Sequence, residues 1–304
     1  MAEQESELQS RIAELRERKN AVILAHVYQR PEVQDIADFT GDSLGLSKKA
    51  VQTDADLIVF CGVSFMAETA SILNPGKTVL LPDLDAGCEL ADMATVERLD
   101  ARLAELPDDV AVVSYVNSTA AIKARSDICC TSSNAVQVVR SLSEDTVLFL
   151  PDKNLASFVA EQVDKNVIPW DGYCYVHHKN IKPQTIRAAR AEHPGAQAMC
   201  HPECPPEVRE LADYVGSTAQ MLNFAAESDA SEFIVGTEDG LTHRLRKENP
   251  QKTFYPVGTL CKGMRRITLQ KLADSLQKMQ FEVRVSQDIR EKAKQALDRM
   301  LEVS

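Results

Sequence analysis

Long hydrophobic stretches are missing from this chain, and so is any excess of positive charge. Its longest apolar runs, such as AVILAHVY (21–28), are strand-length and too short to span a bilayer. Thirty-four basic residues face forty-five acidic ones, a formal charge of −11. That balance argues against nucleic acid or an anionic membrane as a partner. The opening MAEQESELQS has no apolar h-region, so no secretory signal is expected. No Gly/Ser linker or low-complexity run divides the chain. The expected location is therefore the reducing cytosol, where eight cysteines point to metal or catalytic roles rather than disulfides. What remains is an ordinary globular composition, 44% hydrophobic and 26% charged over 304 residues. A chain of that length buries enough apolar surface to fold without staples, as one large domain or several small ones.

The cysteines reveal an internal repeat. Cys88, Cys174 and Cys261 lie 86 and 87 residues apart. Each follows a short strand pattern ending in proline, KTVLLP, KNVIP and KTFYP, and Pro82, Pro169 and Pro256 are spaced by 87 and 87. Upstream, three strand-like runs (21–29, 110–118, 196–204) each lead into a helical stretch that ends in Asp38, Asp127 or Asp213. Twelve residues before these aspartates stand His26, Tyr115 and His201, and ten before stand Tyr28, Asn117 and Glu203. Five after them stand Ser43, Ser132 and Thr218. A second strand (57–62, 146–151, 232–237), a helix and the proline-ended third strand complete each unit. A helix of i, i+3, i+4 apolar spacing precedes each unit.

Strands alternating with helices at this pitch predict right-handed βαβ crossovers and parallel sheets. The expected fold class is α/β: three similar three-layer αβα domains around a pseudo-threefold axis. The expected units are 1–88, 89–175 and 176–264, with 265–304 packing back on the first and closing a ring. Ligands of open α/β sheets bind at the carboxyl ends of the strands. The repeat-matched positions 26/28, 115/117 and 201/203 should then face one central cavity.

Three cysteines converging there would suit a metal centre. On a [4Fe–4S] cluster, three thiolates leave one iron open for Lewis-acid chemistry. The alternative is three buried apolar cysteines. Cys61, Cys129, Cys130, Cys200 and Cys204 have no repeat-matched partner and read as core or incidental residues, with Cys200 and Cys204 as a zinc pair the minor alternative. Ser43, Ser132 and Thr218 lead into helices, so they are either ordinary N-caps or ligands of an anionic substrate at helix N-termini. The six strand-end residues supply acids, bases and donors. His177, three residues past Cys174, is either a second layer around the metal or a satisfied surface histidine.

These residues lie in motifs that resemble the quinolinate synthase family: AHVYQ, GDSLGLS, CGVSFMAETA, LPDLDAGC, YVNS, CTSSNA, LPDKNLA, GYCYVH, HPEC, VGST, TEDGL and LCKGM, spread over essentially the whole chain. The resemblance implies three αβα domains around a [4Fe–4S] cluster ligated by Cys88, Cys174 and Cys261. It implies condensation of iminosuccinate with dihydroxyacetone phosphate to quinolinate in de novo NAD biosynthesis, with loss of phosphate and water. An aspartate oxidase or an aspartate dehydrogenase would supply the iminosuccinate. It further implies that His26, Ser43, Tyr115, Asn117, Ser132, His201, Glu203 and Thr218 line the substrate site. His26, Tyr28 and Glu203 are the candidate acid–base residues. Two positions depart from the family pattern. Val27 stands where a tyrosine is usual, and Ser64 where a histidine is usual. Val27 alternates away from its neighbours along the strand and should face the core. The carboxy-terminal region has a single cysteine, Cys261, followed by Met264, so a redox switch of clustered carboxy-terminal cysteines is not expected.

Overall fold

The computed structural model describes residues 2–303. It contains twelve strands in three four-stranded, wholly parallel sheets. The first sheet comprises β1 (Ala21–His26), β2 (Phe39–Gly41), β3 (Leu57–Cys61) and β4 (Thr78–Leu80). The second comprises β5 (Ala111–Tyr115), β6 (Ile128–Cys130), β7 (Thr146–Leu150) and β8 (Asn166–Pro169). The third comprises β9 (Gln197–Cys200), β10 (Tyr214–Val215), β11 (Glu232–Gly236) and β12 (Thr253–Pro256). The orders β2-β1-β3-β4, β6-β5-β7-β8 and β10-β9-β11-β12 repeat a single plan. Helices flank every sheet, so the chain is α/β with three similar αβα layers.

The repeat has a physical basis in its aspartates. The Ile23 N–H donates to Asp38 Oδ2 (2.8 Å), Val112 N–H to Asp127 Oδ2 (2.7 Å) and Ala198 N–H to Asp213 Oδ2 (2.7 Å). Each aspartate N–H returns the bond to the carbonyl of the same strand residue. The carboxylate thus satisfies an edge-facing strand amide just where the short strand leaves the ladder. Those short strands, β2, β6 and β10, were not expected. Two or three residues are too few for a period-2 pattern to register.

Alternation along each central strand separates two packed faces. In the second sheet Val113, Val147 and Phe149 join the main core, whereas Val112, Leu148 and Leu150 pack with Leu99, Ile122 and Trp170 behind it. In the third, Ala198, Cys200 and Ile234 pack with Ile181, Ile186 and Val208.

The carboxy-terminal segment divides between two sheets. The helix Leu269–Lys278 lies on the helix Ala2–Arg18. The chain then runs antiparallel to β4, with Val283 N–H donating to the Val79 carbonyl and Leu81 N–H to that of Phe281. The last helix, Gln287–Val303, continues past the first unit onto β6 and the helix Ala120–Lys123, where Arg299 Nη1 donates to the Asp127 carbonyl (2.6 Å). Among the described residues no helix is long and apolar enough to cross a membrane.

Candidate active site

The carboxyl ends of all three sheets open into one cavity of about 620 Å3, its mouth included. The first unit contributes His26, Tyr28, Ser43 and Cys88 to its wall. The second contributes Tyr115, Asn117, Ser132 and Cys174, and the third His201, Glu203, Thr218 and Cys261. The twelve residues singled out by the repeat therefore lie around one space.

Backbone geometry sets the state of the two histidines. Tyr28 N–H donates to His26 Nδ1 (3.1 Å), and Glu203 N–H donates to His201 Nδ1 (3.3 Å). A nitrogen that accepts cannot carry a proton, so each ring presents Nε2–H. For His201 that group faces Ser132 Oγ at 3.2 Å. Burial lowers His26 to about 3, with Glu203 pulling the other way, and lowers His201 to about 3 likewise. Both rings are thus neutral donors. This differs from the expectation of His26 as a base near neutrality, because desolvation outweighs the nearby carboxylate.

Glu203 stands at the head of a chain of side chains. Its Oε2 lies 2.6 Å from His177 Nδ1, His177 Nε2 lies 2.8 Å from Thr237 Oγ1, and Thr237 Oγ1 lies 2.5 Å from the Tyr28 hydroxyl. All four residues are buried. Burial alone would raise the Glu203 carboxyl, but His177 beside it and hydrogen bonds from His177 and Tyr115 hold it below its ordinary range. Burial pushes the Tyr28 and Tyr115 hydroxyls well up, with only Thr237 opposing at Tyr28. His177 is therefore neither on the surface nor beside the thiols alone: it joins an acid to a phenol. Thr237 was missed. Its one signal was its position at the end of the strand pattern 232–237.

The hydroxyls are not the helix caps. Asp42 caps the helix Ser43–Gln52 by accepting from Gly45 N–H (2.8 Å). Ser217 caps Thr218–Glu227 in a capping box with Gln220. Ser43 and Thr218 are the first helical residues, one place further in. Ser132 lies in the turn before Ala135–Ser141, where Asn134 Oδ1 accepts the Thr131 N–H (2.7 Å). Beside them, Asn117 Oδ1 is buried and has no partner among the described residues. An orphaned acceptor at a cavity wall costs free energy until a ligand donor meets it.

The three thiols border this cavity and a smaller one of about 350 Å3 lined by Gly87, Glu89, Tyr175 and Lys262. All eight cysteines are free. Burial pushes Cys88 up to about 12 and Cys174 well up, and each feels the charge of its neighbours among the three. Burial likewise raises Cys261. Such thiols become thiolates only beside strong positive charge, and three soft donors from the loops that follow β4, β8 and β12 fit an iron–sulfur centre. A Cβ on Gly263 would sit 2.2 Å from the Gly87 carbonyl oxygen. Only glycine lets the Cys261 loop cross the Cys88 loop so closely. Cys174, His177 and Glu203 also have ligand atoms within 4.8 Å of one another. Both His177 nitrogens are already engaged, which leaves the three thiols the better donor set. Cys61, Cys129, Cys130, Cys200 and Cys204 are buried in or beside strands, the Cys204 thiol directed at the Gly236 carbonyl (3.7 Å). Val27 is buried in the core, and Ser64 opens the helix Ser64–Leu73.

Three αβα units enclosing one cavity, with three thiols and a carboxyl–imidazole–hydroxyl chain beside them in its wall, define an enzyme for a small polar substrate. A family model described as "NadA: Quinolinate synthetase A protein" matches residues 10–302. The chain is 55% identical to quinolinate synthase 1 of Methanosarcina acetivorans over 302 residues, covering 99% of each. It is 53% identical to the quinolinate synthase of Desulforudis audaxviator, covering 97% of this chain and 98% of that one. For the protein from Geobacter sp. strain M21 the identity is 52%, covering 97% of each. The chain belongs to the quinolinate synthase A family.

Proposed function

We propose that the protein condenses iminosuccinate with dihydroxyacetone phosphate to quinolinate, releasing phosphate and water, as the quinolinate-forming step of de novo NAD biosynthesis. Three units, 1–88, 89–175 and 176–264, set about a pseudo-threefold axis, would each deliver one thiol, Cys88, Cys174 and Cys261, to a [4Fe–4S] cluster. The bound cluster would supply a Lewis-acid iron able to polarise a substrate oxygen. The acidic composition and free thiols suit a cytosolic protein, fed by an aspartate oxidase or an aspartate dehydrogenase.

The observation that carries this reading is the chain Glu203–His177–Thr237–Tyr28, which runs beside the thiols, with ligand atoms of His177 and Glu203 within 4.8 Å of that of Cys174. Forming a pyridine ring from these substrates requires protons to leave carbon and nitrogen and to reach departing oxygens. Glu203 accepts a proton at a carboxylate oxygen, and His177 steadies that oxygen through Nδ1. The Tyr28 hydroxyl, its proton position set by Thr237, donates to a leaving oxygen. His26 and His201 offer Nε2–H to carbonyl or carboxylate oxygens without themselves titrating. Ser43, Ser132 and Thr218 hold the substrate's anionic groups at the helix N-termini, and Tyr115 and Asn117 complete the polar wall. Burial among three sheets keeps water from the labile imine.

The test is made on anaerobically purified protein. It should carry about four irons per chain and form quinolinate with phosphate release when iminosuccinate is generated in the presence of dihydroxyacetone phosphate. Full activity without iron would contradict the cluster. Dehydration of a hydroxy acid with no quinolinate formed would make the protein a hydro-lyase instead.

A further inference from the structure

The loops that carry the three cysteines are docked by a bond that the repeat copies three times. Ser64 N–H donates to the Ala86 carbonyl, Lys153 N–H to that of Gly172, and Asp239 N–H to that of Thr259. Each acceptor lies two residues before its cysteine. The residue preceding each donor is where the units part. In the second and third units it is a buried acid, Asp152 or Glu238, each 0% exposed. Asp152 Oδ2 accepts the Cys174 N–H (3.0 Å), and Glu238 Oε1 accepts the Cys261 N–H (3.1 Å). In the first unit the position is Val63, which has nothing to accept with.

Neither carboxylate is spare. Asp152 Oδ1 also accepts from Asn154 and Leu155 N–H, at 2.9 and 2.8 Å. Glu238 Oε2 accepts from Gly240 N–H (2.6 Å), and its Oε1 pairs with Arg265. Arg265 is fixed in turn by its N–H on the Cys261 carbonyl and by Arg30, which donates twice to the Arg265 carbonyl. These bonds reach the backbone of two cysteines from the strand ends that carry Asp152 and Glu238. Burying two carboxylates is costly unless every lone pair is used, so two of them at one repeat position mark a purpose beyond packing.

We propose that Asp152 and Glu238 are positioning residues that hold the Cys174 and Cys261 backbones ready to receive the iron centre. The proposal rests on the reading of the three cysteines as its ligands. The Cys88 N–H has no such carboxylate; its loop is held instead by the Ser64 bond and by Asp83 and Asp85, which pair with Arg266 and Lys271.

Two measurements on the full chain test this. In apo protein carrying labelled cysteine nitrogen, the Cys174 and Cys261 amides should exchange slowly in the parent. They should exchange roughly tenfold or more faster in Asp152→Ala and Glu238→Ala respectively. After anaerobic reconstitution with iron and sulfide, release of iron to bathophenanthroline disulfonate should be roughly tenfold faster in both variants than in the parent. Asp152→Asn and Glu238→Gln keep the size of the side chain but turn an NH2 group towards N–H donors. They should behave like the alanine variants while the apo protein melts near the parent temperature. Fast exchange at both amides in the parent overturns the proposal even if no variant folds. So does parent-like iron release from all four folded variants. Cys174→Ser and Cys261→Ser separate the two layers. If they keep full iron, the three-thiol reading falls. If they lose it while the acid variants match the parent, only the positioning role falls.

Discussion

The two ends of the same three sheets follow opposite rules. Towards the amino-terminal half of β1, β5 and β9 the three units repeat one residue and one bond: Asp38, Asp127 and Asp213 each accept a strand N–H within 2.7–2.8 Å. At the carboxyl ends the backbone path repeats but the side chains diverge, into His26 and Tyr28, Tyr115 and Asn117, and His201 and Glu203. A folding requirement is the same in every copy and preserves chemistry. A single shared cavity needs each copy to supply something different, so the copies have specialised. Even the histidines common to two units show this. Both accept a backbone N–H at Nδ1, yet one is followed by a phenol and the other by a carboxylate.

The sharpest break of that contrast is at the divergent end. Glu203→Gln should lower turnover roughly 10²-fold or more while iron content and melting temperature hold. Tyr28→Phe should fall by a similar factor, since it removes only the hydroxyl that meets Thr237. Steady-state assays on iron-matched samples read both, and near-normal turnover in the two would remove the chain from the chemistry. At the uniform end the expected change is of another kind. Asp127→Ala leaves the Val112 N–H without its carboxylate and should cost about 1–3 kcal/mol of stability by denaturant titration. Turnover per folded molecule should stay at the parent level.

Much of this was readable before the fold was known, because it was written in phase. Cysteines 86 and 87 residues apart and prolines 87 apart mark equivalent strand ends whatever the intervening helices do. The aspartates align the windows between them. What could not be read is what phase does not mark. Thr237 joins the hydrogen-bonded chain only because β11 ends beside Tyr28, a contact between residues 209 apart. The capping of Ser43 and Thr218 shifted by one residue because Asp42 and Ser217 cap equally well, and composition alone cannot choose between neighbours. The histidines' neutrality follows from burial, which no spacing reveals. The path of the last helix onto the second sheet is a tertiary choice of an amphipathic segment that would suit either surface.

The claim that the repeat divides its work between a folding end and a chemical end can be tested within one unit. Quinolinate is titrated into parent, Thr218→Ala, Asp213→Ala and, as a second case, Ser43→Ala, with melting temperatures recorded on the same samples. Thr218 and Ser43 sit one residue inside their capped helices and face the cavity, so their loss should weaken product binding roughly ten- to hundredfold with little change in melting. Asp213→Ala should lower the melting temperature and leave the affinity of the folded protein unchanged. If the hydroxyl variants shift only melting, or the aspartate variant shifts only affinity, the division is wrong.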